Sequence, residues 1–110
     1  MMNLIDLTDM QEIANIKQRS FEKPQIIFKH STTCGISSVA LNRFKNSDNI
    51  AEGDYYLLNL RKHRDISNAV ATEFKVIHES PQIIVVKNGE AIYNDSHFSI
   101  DMQDIVKALQ

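Results

Sequence analysis

One side chain among the 110 residues can act as a soft nucleophile, and it lies in the run His30-Ser31-Thr32-Thr33-Cys34-Gly35-Ile36-Ser37. A thiolate attacks the sulfur of a disulfide, so a lone cysteine with the right surroundings suits thiol exchange. The other fate of a free cysteine is to be a small buried hydrophobe. Placement separates the two. Ile36, Val39, Ala40 and Phe44 follow one another at helical spacing, which predicts a helix of about three turns with Cys34 in its first turn. Backbone N–H groups and the helix dipole favour an anionic sulfur there. Ser37 falls three residues on, where its hydroxyl is expected to donate to that sulfur. Gly35 leaves room for a ligand or another chain to approach.

The elements that must position this run are legible from periodicity. Thr8-Asp9-Met10-Gln11 reads as a capping box, and Met10, Ile13, Ala14 and Phe21 form an apolar face, predicting a helix over about 9–20 that Pro24 ends. Gln25-Ile26-Ile27-Phe28 has the look of a buried strand running up to His30. Tyr55-Tyr56-Leu57-Leu58-Asn59-Leu60 reads as another, with the two tyrosines in the core. A helix starts near Asp65 or Ser67 with Ile66, Ala69, Val70, Phe74 and Ile77 inward, and Ser80-Pro81 closes the connection after it. Residues 82–87 and 90–93 form a hairpin through Asn88-Gly89, which suits a type I′ turn. Ser99 is expected to cap a last helix carrying Met102, Ile105, Val106 and Leu109. The order is α-β-α-β-α-β-β-α, with the early strands parallel because helices cross between them and the last pair antiparallel.

Composition bounds the function. Apolar content of 43% over this length is material for one domain, 1–110. The net charge of −2, from 12 basic and 14 acidic residues, offers no field for a nucleic-acid backbone. A single cysteine forms no disulfide framework, and with four scattered histidines it completes no cysteine-rich zinc site, so no metal is expected. A lone free thiol points to the reducing cytoplasm. No apolar run reaches the roughly 20 residues of a membrane span, and the first 20 residues lack the layout of a signal peptide.

A strand, a cysteine at the start of the next helix, and later an X-Pro opening a hairpin strand is the order of a thioredoxin-like fold: α/β, with a central mixed four-stranded sheet flanked by helices. FKHSTTCGIS, HESPQIIVVKNGEAIY and NDSHFSI resemble the successive signatures of the YtxJ family of monothiol bacilliredoxins, over nearly the whole chain. The resemblance implies a thiol–disulfide oxidoreductase that removes bacillithiol from protein mixed disulfides, with Cys34 as nucleophile. It implies bacillithiol as co-substrate, no tightly bound cofactor, and bacillithiolated proteins as partners. Thr33, Gly35, Ile36 and Ser37 would support the thiolate or bind bacillithiol. Pro81 would be cis beside Cys34, leaving the backbone of Ser80 to pair with the substrate, and His97 would face the cysteine. The family more often has proline where Gly35 stands. Cys34-Gly35-Ile36-Ser37 is also similar to the motif of monothiol glutaredoxins, so an iron–sulfur cluster carrier using Cys34 and an external thiol is the alternative. Asn94-Asp95-Ser96-His97 lacks the glycine pair of the glutathione cradle and disfavours it. Lys29, His30 and Arg64 are candidates to meet the carboxylates of a bacillithiol headgroup.

Overall fold

A computed structural model describes residues 2–110. In chain order the elements are β1 (Leu4–Asp6), α1 (Glu12–Arg19), β2 (Gln25–His30), α2 (Gly35–Lys45), β3 (Asp54–Asn59), α3 (Arg64–Phe74), β4 (Gln82–Lys87), β5 (Glu90–Ser96) and α4 (Met102–Ala108), with a 3-10 turn over His97–Ser99. The sheet has five strands in the order β1-β3-β2-β4-β5, one more than the sequence reading counted. β1, β3 and β2 run parallel, as crossover helices require, whereas β4 and β5 run antiparallel. Thioredoxin-like order therefore holds, with β1 as an added edge.

β2 is the central strand and every one of its residues is buried. Its alternation splits the core into two layers. Ile27 points toward α1 and α3, joining Ile13, Ile16, Ile66, Val70 and Phe74. Ile26 and Phe28 point toward α2 and α4, joining Ala40, Phe44, Met102 and Ile105. Asn88 and Gly89 both have positive φ, as a type I′ turn demands, and the turn docks on α1: Asn88 and Gly89 donate their backbone N–H groups to the carbonyl and hydroxyl oxygens of Ser20.

Several boundaries differ from the periodicity. α1 begins at Glu12, after a turn in which Asp9 Oδ1 accepts from the Gln11 N–H, so Asp9 and not Thr8 does the local capping. Asp101, not Ser99, caps α4, accepting from the Gln103 N–H at 3.0 Å. Ile77 lies outside α3 and is 86% exposed. On α2 the buried stripe is Ser37, Ala40 and Phe44, while Ile36 and Val39, expected inward, are exposed.

Candidate functional site

The loop leaving β2 carries Ser31 to Thr33 and ends at Cys34, which takes the N-cap position of α2 with extended backbone. This is one residue earlier than a first-turn placement. An N-cap side chain ordinarily accepts a hydrogen bond from the first-turn amides. Here no side chain does so, and Cys34 itself is half-buried and free. Gly35 is the first helical residue, and a Cβ built on it would meet nothing within 4 Å. Its smallness thus answers no crowding inside the chain, and the proline common at this position in the resembled family would suit the start of a helix.

Ser37 is fully buried, and its hydroxyl accepts the Ser31 N–H at 3.0 Å and pairs with His30 Nδ1 at 2.7 Å. The expected bond from Ser37 to the sulfur is replaced by these two, because the β2 alternation turns His30 toward α2. Ser37 therefore shapes the cysteine loop from within. His30, held toward its neutral form by burial and by the charge of Lys45, is part of this internal lock and is not a headgroup contact.

Lys29 is also withdrawn from solvent. On the opposite face of β2, its Nζ donates to the Ser67 carbonyl and to His78 Nδ1, both at 3.1 Å. Burial pulls its pKa down to about 8. Arg64, the third candidate for a headgroup, is exposed at the start of α3.

The last β2–β4 pair is Lys29↔Gln82, so Pro81 comes level with His30 at the end of the sheet where the cysteine loop departs. The Ser80–Pro81 peptide is cis. Gln82 braces the approach to it, donating from Nε2 to the Ile77 carbonyl at 2.9 Å. Ser80 Oγ is buried with no hydrogen-bond partner among the described residues. β5 ends beside Gln82, and the following His97, exposed and with φ of 57°, donates its N–H to the Pro81 carbonyl at 3.0 Å. Thr33 is exposed, and its Oγ1 accepts from Arg61 Nη1 at 2.8 Å. Four segments thus meet at one end of the sheet: 31–34, 60–64, 78–81 and 97. Two wide clefts, one between α2 and α4 and one along α1 and α3, are not lined by Cys34.

Sequence reasoning missed Arg61 and the Lys29–His78 pairing. A basic run Arg61-Lys62-His63-Arg64 directly after a strand was a signal for the first, and a lysine inside an otherwise apolar central strand was one for the second.

Comparison with known proteins agrees with this geometry. A family model described as monothiol bacilliredoxin BrxC matches residues 5–105. Among solved structures, a proposed oxidoreductase with a thioredoxin fold superposes with a TM-score of 0.80 at 28% identity, covering 97% of this chain and 94% of that one. Thioredoxins from Malassezia sympodialis (TM-score 0.74, 19% identity, 99% and 90% covered) and Schistosoma mansoni (0.71, 22%, 96% and 96%) share the fold. No helix among the described residues is long and apolar enough to cross a membrane.

Proposed function

The chain belongs to the monothiol bacilliredoxin family, and from that premise we propose that it removes bacillithiol from protein mixed disulfides by attack of Cys34. The observation that carries this is the position of its one thiol, half-exposed on the N-cap residue of a helix whose first turn no side chain caps. The Cys34 thiolate attacks the bacillithiol sulfur; a Cys34–bacillithiol disulfide forms, and the client sulfur leaves as a thiolate that takes up a proton. A second bacillithiol then attacks the adduct, releasing bacillithiol disulfide and restoring Cys34. Electrons balance without a second cysteine, and bacillithiol is the only co-substrate required.

The surrounding segments have roles in this scheme. Ser37 and His30 hold the loop that presents the sulfur. Ile36, exposed two residues beyond Cys34, offers apolar contact to a client. Ser80 presents its backbone to the client chain in the manner of an added strand. His97 supplies a proton to the departing thiolate. A reducing compartment such as the cytoplasm suits a single free thiol of this kind.

Intact mass measurement after mixing with a bacillithiolated protein tests the proposal. One bacillithiol should move to Cys34 as the client thiol is freed, and Cys34→Ser should leave the client modified. A client that stays modified beside unmodified wild-type protein would overturn it.

A further inference from the structure

The exchange chemistry does not by itself require the basic loop between β3 and α3. The register sets His30 against Asn59, and the Leu60 N–H donates to the His30 carbonyl at 3.0 Å, so the two loops leave the sheet side by side. Asn59 Oδ1 accepts the Arg61 N–H at 3.2 Å, fixing the turn, and the Arg61 guanidinium reaches across to Thr33. Thr33 is the residue before Cys34, about 3.8 Å of chain away.

Arg61 is exposed, and its guanidinium is engaged through Nη1 by a neutral hydroxyl. Among the described residues no carboxylate forms an ion pair with Arg61, Lys62 or Arg64; the ion pairs present join Lys17 to Glu73, Arg19 to Glu12 and Lys23 to Asp54. Arg64 lies near enough to the 78–81 loop to act, after burial and Lys29, on the charge of His78. Of the nearby acids, Asp65 follows Arg64 in the chain, and Glu79 accepts from Ser96 Oγ at 3.0 Å. Positive charge without an ion-pair partner therefore gathers in the loop that reaches Thr33, the neighbour of Cys34, in a chain whose net charge is −2.

We propose that Arg61, supported by Lys62 and Arg64, binds the carboxylates of a small anionic thiol as its sulfur exchanges with Cys34. This deepens the thiol-exchange reading above and rests on it. The planar guanidinium matches a carboxylate, and its bond to Thr33 holds it within reach of a low-molecular-weight thiol on the sulfur.

The test compares the second-order rates of Cys34 with two disulfides, dianionic 5,5′-dithiobis(2-nitrobenzoate) and neutral 2,2′-dithiodipyridine, at low ionic strength. The rate ratio cancels changes in the thiol itself. Arg61→Gln should lower the anionic-to-neutral ratio about three-fold, the size expected of one exposed ion pair. Arg61→Lys should restore part of it, and added salt should shrink the difference. Lys107→Gln, on exposed α4 surface, changes net charge equally and should keep the wild-type ratio. An unchanged ratio in Arg61→Gln, or an equal fall in Lys107→Gln, would overturn the site. Failure of the two readings is distinguishable: a preference lost only in Arg61→Gln supports this site even where no client loses bacillithiol, whereas de-bacillithiolation with no such preference rejects this site alone.

Discussion

Lys29 carries an ammonium into a place that β2 closes off from water, with a carbonyl and an imidazole but no carboxylate as hydrogen-bond partners. The cost of that burial appears as a pKa lowered from 10.5 to about 8. Below pH 8 the side chain is charged in both folded and unfolded chains, and the full penalty is present. Between pH 8 and 10.5 the folded state gives up its proton first, so stability rises with pH. Buried Tyr55 and half-buried Tyr93, pushed up to about 12, work the other way only above pH 10, which leaves pH 8–10 as a clean window. Urea unfolding at both ends of that window should show wild type gaining about 2 kcal/mol on Lys29→Met. An unchanged difference between the two proteins would show that the ammonium is not held as described. The same residue-scale logic moves His30 from a headgroup contact, and Ser37 from a donor to the sulfur, to a hydrogen bond with each other inside the fold.

At the scale of elements, the disagreements share one cause: a local pattern offers two solutions and packing chooses. α2 has two adjacent stripes, Ile36 with Val39 and Ser37 with Ala40 and Phe44. Hydrophobicity favours including the first. The buried hydroxyl of Ser37, satisfied by Ser31 and His30, places the second inward and leaves Ile36 and Val39 exposed. At the chain's end Ser99 and Asp101 are both good caps by type. Arg43 donates to the Phe98 and Ile100 carbonyls and Ile100 is buried, so residues 97–99 are spent in the 3-10 turn and α4 starts after Asp101. Asp101→Ala should therefore cost about 1 kcal/mol, and Ser99→Ala less than about 0.5 kcal/mol, in denaturant midpoints converted to free energy. The reverse order of costs would return the cap to Ser99.

At the scale of the whole molecule, β1 completes the sheet with only three residues, too few for any periodicity to register. Its anchor is Leu7, just past the strand, 1% exposed in the α1–α3 layer and donating its N–H to the Leu57 carbonyl at 2.9 Å. Leu7→Ala should cost about 2–4 kcal/mol by urea unfolding, whereas Ile5→Ala, at a position 41% exposed, should cost far less. Equal costs would mean that β1 is not docked through Leu7. What the sequence by itself determined was everything encoded over short spans: the Asn88-Gly89 turn, the buried central strand, the parallel and antiparallel halves, and Cys34 at the head of a helix. These follow from turn dihedrals, side-chain periods and the handedness of crossovers. Only the tertiary structure decided which face of α2 is buried, that Lys29 and His30 turn away from solvent, that a fifth strand exists, and that Arg61 stands beside Thr33. Each of the last contacts joins residues distant in the chain, as between Arg61 and Thr33 or Lys29 and His78, and no local pattern specifies such a partner. It is set when a central strand sends alternate side chains into two different layers, and when neighbouring parallel strands release their loops at the same end of the sheet.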